Sequence, residues 1–140
     1  MLYLVNEEII RLIVKQENLV WIATVDSKGI PNISPRFVLG ILEGNDLLFA
    51  DAFGNKTFNN IISCPIVAVA ILDIDNLGGY QLKGKVEEVT DPQLFSKAGA
   101  KLREFGIDAK PAKVWKFSAK EVYSLVPSKK SKKPIVSLYS

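Results

Sequence analysis

Apolar and polar positions change their period several times along the chain, and each change marks an element. Asn6 precedes Glu7 and Glu8, and apolar residues follow at Ile9, Ile10, Leu12, Ile13 and Val14. A capping side chain followed by acids in the first turn starts a helix, here expected to last about three turns. Residues 20–25 are rich in β-branched and aromatic side chains and read as a strand. Asp26-Ser27-Lys28-Gly29 has the composition of a hairpin turn, with a second strand expected at 32–39. Glu43-Gly44-Asn45-Asp46 is a second turn, and residues 47–51 a third strand. Phe53-Gly54-Asn55 reads as a loop, and residues 56–63 as a short helix that ends before Pro65. The unbroken apolar run 66–72 predicts a strand buried on both faces.

Residues 80–89 alternate and form a long strand, in which Gly84 marks a bulge or a close backbone approach. Asp91 followed by Pro92 starts a further helix, running through Phe95, Ala98 and Leu102 and stopping at Gly106. Residues 114–117 and 122–126 supply one or two last strands. Helices do not alternate regularly with strands, so a doubly wound parallel sheet is disfavoured. Short strands joined by tight turns predict a mainly β fold with flanking helices, an antiparallel barrel that leaves few edges exposed.

The whole chain of 140 residues fits one domain, placed at 1–128, followed by a lysine-rich tail at 129–140. Lys129, Lys130, Lys132 and Lys133 carry four positive charges against a net charge of +3, which leaves the rest of the chain at −1. Without them the body is near neutral, which argues against a nucleic-acid face. No apolar stretch approaches the ~20 residues needed to span a bilayer, and the first residues lack the basic start of a signal peptide. The expectation is a cytoplasmic protein with neither membrane nor nucleic-acid partners. Cys64 is the one cysteine, so no internal disulfide forms. Histidine is absent, which removes Ser-His-Asp and Cys-His catalysis, histidine metal sites and histidine-ligated haem. No metal site is expected.

Two segments carry candidate chemistry. In Asp51-Ala52-Phe53-Gly54-Asn55-Lys56-Thr57-Phe58-Asn59-Asn60 a strand gives way to a glycine loop and then a helix. The free amides of a helix start favour anions, and Lys56 adds a full positive charge. Lys56, Thr57 and Asn60 share one helix face by spacing, a set that suits a phosphate monoester. An ordinary capped helix with a solvated lysine has the same sequence. On the strand Asn32-Ile33-Ser34-Pro35-Arg36-Phe37, alternation sets Asn32, Ser34 and Arg36 on one face. Arginine and serine side by side grip phosphate or ring oxygens, although a solvent-facing polar side has the same pattern. Gln81, on the later strand, has the donors and acceptor to meet the polar edge of a ligand ring, or it is simply an exposed polar residue. The stretch from Gly79 to Lys85 copies P-loop spacing, but Val86 stands where the Mg²⁺-binding hydroxyl belongs, so triphosphate hydrolysis is rejected.

The ordered segments LVWIATVDSKGIPNISPRFV, LLFADAFGNKTFNN, CPIVAVAILD and GGYQLKGKVEEV resemble the pyridoxamine 5′-phosphate oxidase-like family, the FMN-binding split barrels. That resemblance implies an antiparallel split β-barrel, a homodimer, and FMN held in clefts between subunits. It places Ser34, Pro35, Arg36 and Phe37 along the flavin and ribityl chain, and Lys56 and Thr57 at the phosphate. Asp51 and Asn60 fall near the same site, and Gln81 is contributed by the later strand, from either subunit. The oxidase's C-terminal Arg-x-His pair is missing, so oxidation of pyridoxamine phosphate is not expected. The implied activity is an FMN-dependent oxidoreductase acting on an unassigned small molecule, with no catalytic residue singled out. A flavin-binding or sensing module without turnover, and a deazaflavin-dependent reductase on the same fold, are the alternatives.

Overall fold

The computed structural model describes residues 4–43, 46–51, 56–108, 110–128 and 133–138. The predicted loop at 53–55 and the middle of the predicted turn at 43–46 lie outside them. In chain order the elements are α1 (Glu7–Lys15), β1 (Leu19–Val25), β2 (Pro31–Phe37), β3 (Gly40–Leu42), β4 (Asp46–Asp51), α2 (Lys56–Ser63), β5 (Ile66–Asp73), β6 (Gly78–Glu88), α3 (Pro92–Glu104), β7 (Lys113–Ser124) and β8 (Val136–Ser137). The sheet order is β2-β1-β5-β6-β7-β4-β3, with β8 on β7, and every pairing is antiparallel. The mainly β architecture with flanking helices is therefore present.

The helix starts follow from local chemistry. Asn6 Oδ1 accepts from the Ile9 amide at 2.9 Å and caps α1. Asp91 Oδ1 accepts from the Gln93 amide at 2.8 Å, with Pro92 opening α3. At Gly84 the β6–β7 register shifts, as the isolated glycine led one to expect; a Cβ there would collide with the Ser118 carbonyl.

The sheet curls until its two ends approach. After β2 the chain leaves β1 and joins β4: the Val38 amide still bonds to Asn18 O, while the next amide, of Leu39, bonds to Leu48 O. The curl wraps one core of Val20, Ile22, Phe49, Val69, Leu82 and Phe117, capped by Ile9 and Ile13 of α1. A second core lies outside the curl, where Leu48, Ala50 and Val114 pack against Ala98 and Leu102 of α3. β4 serves both cores, which is why its residues from Leu47 to Asp51 are all buried.

Two expectations need correction. The apolar run of β5 is not buried on both faces: Ile66 is 58% and Leu72 38% exposed, while Val67, Val69 and Ile71 are buried. On β2 the faces are reversed from the solvent-facing polar reading. Asn32, Ser34 and Arg36 are partly buried and turn inward, and Ile33 and Pro35 stand in solvent. Both corrections have one cause, an apolar outer surface on the sheet that continues across β2, β1 and β5.

Candidate functional site

Among the described residues the buried polar or charged side chains are Thr24, Asp51, Thr57 and Asn60, and all four gather where α2 meets the β1–β2 hairpin and the end of β4. Burying a hydroxyl or amide is costly unless it is hydrogen-bonded, and each of these is. Asn60 Nδ2 donates to Thr24 Oγ1 at 3.1 Å, tying the helix to β1. Asn32 Nδ2 donates to Thr57 Oγ1 at 3.2 Å, and the Ser34 and Thr57 hydroxyls share a bond of 2.8 Å, tying the helix to β2. One residue pair further along β2, Arg36 Nη2 approaches Asp51 Oδ1 at 3.5 Å. The result is a polar line along the inner face of β2 that reaches across to β4.

Lys56 opens α2 and is exposed. No acid occupies the first turn of this helix, in contrast to α1 with Glu7 and Glu8. The helix start is therefore left electropositive, with the Lys56 charge adding to the amide dipoles. Asp26, in the adjacent hairpin turn, is held below the usual carboxylate range. The Ile30 amide is the main cause, and the Lys28 and Gly29 amides and the Lys56 charge add to it.

Of the nine site residues read from the sequence, the fold brings six together: Ser34, Arg36, Asp51, Lys56, Thr57 and Asn60. Within that set the roles differ. Thr57 is 1% exposed and its hydroxyl is committed to Asn32 and Ser34. Thr57 and Asn60 thus hold the helix in place, while Lys56 presents its charge outward. The other three are elsewhere within one chain. Pro35 lies on the exposed face of β2. Phe37 stacks on Phe105 of the α3 core, with centroids 4.5 Å apart and planes 4° apart. Gln81 pairs across from Ala70, which pairs across from Trp21, and so belongs to the outer face of the sheet. Sequence reasoning passed over Thr24 and did not rank Asn32. The signal for Thr24 was present, since it is the one polar residue in the strand LVWIATV and alternates in step with Val20 and Ile22.

Donors of this kind fit a phosphate: one exposed cation, a second cation in Arg36, and the positive end of a helix dipole. They offer no thiolate or carboxylate cluster for a metal, and among the described residues no group of three or more potential metal ligands occurs.

Comparison with known proteins places this architecture. An uncharacterized protein of Methanocaldococcus jannaschii is 28% identical over 122 residues, covering 86% of this chain and 80% of that protein. A pyridoxamine 5′-phosphate oxidase-related, FMN-binding protein of Nostoc punctiforme superposes with a TM-score of 0.67 at 14% identity, covering 88% of this chain and 84% of that one. A heme binding protein from Mycobacterium smegmatis superposes with a TM-score of 0.65 at 21% identity, covering 90% of this chain and 55% of that one. Such distant likenesses share the fold and leave the ligand open. The sequence profile of the pyridoxamine 5′-phosphate oxidase family spans residues 7–126, from the start of α1 to just past β7 and across the whole polar line between them. The curled barrel, the helix start beside it and this match agree: the chain belongs to the pyridoxamine 5′-phosphate oxidase family.

Proposed function

We propose that this protein binds FMN and acts as an FMN-dependent oxidoreductase on a small molecule. The observation that carries the reading is the acid-free start of α2, with Lys56 at its first position and Arg36 on the neighbouring strand. Lys56 and the positive end of α2 would take the phosphate, with Thr57 seating that helix start against β2. Ser34 and Arg36 would line the ribityl chain, and Asp51 would hold Arg36 in place. When bound, the flavin supplies the redox chemistry, and the chain supplies grip, orientation and electrostatics. A histidine-ligated haem finds no ligand in these 140 residues, which favours flavin on this fold.

The working form is proposed to be a homodimer. The outer face of β2, β1 and β5 exposes Ile33 at 66%, Trp21 at 37% and Ile66 at 58%, around a floor of Ala23 and Ala68. A contiguous apolar surface of this kind is characteristic of an interface. Gln81 shares that face and reaches a flavin only from a second copy. The cytoplasm remains the proposed location. A single domain at 1–128 with a tail at 129–140 remains the proposed division, β8 being the tail's point of return to the sheet.

The test is the visible spectrum of the purified protein together with FMN titration of Lys56→Ala. Oxidised-flavin bands in the wild type, and FMN affinity in the variant reduced by roughly tenfold or more, are expected for the loss of a charge-assisted contact. Unaltered affinity in a folded variant overturns the phosphate assignment. Sustained NAD(P)H oxidation by the holoprotein then separates an enzyme from a binding module.

A further inference from the structure

The anion site has a charged neighbour that the phosphate reading does not use. Asp26 stands just past the end of β1, two residues beyond Thr24 and on the same side by alternation. Lys56 stands one helical turn before Asn60 on the same face of α2. Thr24 and Asn60 are bonded to each other, and Thr57 is bonded to Asn32 across from Thr24, so the turn at 26–30 is fixed beside the start of the helix. Asp26 has little freedom to leave: its Oδ1 accepts from the Lys28 amide at 2.8 Å and the Ile30 amide at 2.9 Å. The Lys56 charge is among the interactions that keep this carboxylate ionised.

We propose that Asp26 is a specificity determinant of the anion site, a fixed negative charge that opposes a phosphate dianion while leaving the hold on uncharged parts of the ligand intact. The inference rests on the phosphate reading above. A dianion placed at Lys56 replaces the attraction between Lys56 and Asp26 with its own, and is itself repelled by Asp26. The site is thereby less tight for a doubly charged monoester than its cations alone would make it. Ligands of the same ring but lower charge are spared the repulsion.

Asp26→Asn isolates this effect, because asparagine keeps an oxygen acceptor for the two turn amides and removes only the charge. Asp26→Ser is a second uncharged variant with a shorter acceptor. FMN and riboflavin are titrated into the full-length wild type and both variants, at low and high salt. The variants are expected to bind FMN roughly three- to tenfold more tightly at ~10 mM ionic strength, with the gain vanishing near ~1 M salt. Riboflavin affinity is expected to stay unchanged. Equal FMN affinity across the three proteins at low salt overturns the inference and leaves the phosphate reading standing. An equal gain for riboflavin also overturns it, since the effect would then not act on the phosphate. A folded wild type that binds no FMN removes the phosphate reading itself, and this inference with it.

Discussion

Arg36 and Asp51 meet across the open seam of the barrel, Nη2 lying 3.5 Å from Oδ1, with side chains 14% and 5% exposed. The two residues belong to β2 and β4, which are far apart in the sheet order and adjacent only because the sheet curls. The chain passes between these strands at Val38 and Leu39, so the ion pair closes the gap that the backbone leaves. Removing one partner takes away an opposite charge from a confined site where water screens little. Arg36→Ala should therefore destabilise the fold by about 2–3 kcal/mol and weaken FMN binding as well. Urea unfolding of Arg36→Ala, Asp51→Ala and the double variant measures the coupling. The double variant should cost clearly less than the two singles together; strict additivity would show that the residues do not interact.

Thr57 is the join between α2 and β2. Thr57→Val keeps the shape of the side chain but removes the acceptor for Asn32 and the hydroxyl partner of Ser34. Leaving those partly buried groups unmatched should cost about 1–3 kcal/mol. FMN affinity should fall by less than in Lys56→Ala, because the Thr57 hydroxyl is already committed to Asn32 and Ser34. An affinity loss as large as that of Lys56→Ala, at unchanged stability, would instead make the hydroxyl a direct ligand contact.

The parts of this fold that were legible in the sequence are those set by neighbours in the chain. Asn6 and Asp91 announce α1 and α3 because a cap acts on amides two or three residues away. Alternation likewise separates Asn32, Ser34 and Arg36 from Ile33 and Pro35, but it does not say which set is inside. That depends on α2 arriving over one face of the hairpin, a contact between residues more than twenty positions apart. The same gap explains β5. Ile66 and Leu72 look like core residues by composition, and only the position of the sheet shows that their face is the outer one. β3 and β8, three and two residues long, are too short to leave a period. At the site, the spacing of Lys56, Thr57 and Asn60 was readable because it is helical. The division between a presented lysine and two buried joining residues was not, because it is set by contacts with β1 and β2.

Tyr80 offers a test by pH. Its hydroxyl is pushed up to about 12, chiefly by burial, with a hydrogen bond to Glu8 and the charges of Glu8 and Asp73 adding to it. An unfolded tyrosine titrates near ~10. Below that pH both states hold the proton and the contribution of Tyr80 is complete. Between about 10 and about 12 the unfolded chain releases its proton and the folded protein keeps it, so stability falls as pH rises. Tyr80→Phe should show a shallower decline over that window than the wild type, in urea midpoints taken at matched ionic strength. Identical slopes in the two proteins would show that Tyr80 titrates normally in the fold.

The exposed apolar face makes the last prediction. Ile33 and Trp21 stand on adjacent strands, Ile33 across from Ala23 and Trp21 across from Pro35, on the side of β1 and β2 that does not enter the core. A charge there disturbs nothing within one chain, because Ile33 makes no part of either core. Ile33→Asp should therefore keep the monomer's stability to within about 0.5 kcal/mol, as expected of a surface change. If a second copy covers this face, the variant must bury a carboxylate against apolar surface, and association should be lost. Light scattering on the eluting protein should then give the dimer mass for the wild type and the monomer mass for the variant. FMN content should fall with it, since Gln81 lies on the same face and reaches a flavin only across that contact. A wild type that already runs as a monomer and still holds FMN would remove both the dimer and the role of Gln81. The site would then rest on the residues that one chain gathers around α2.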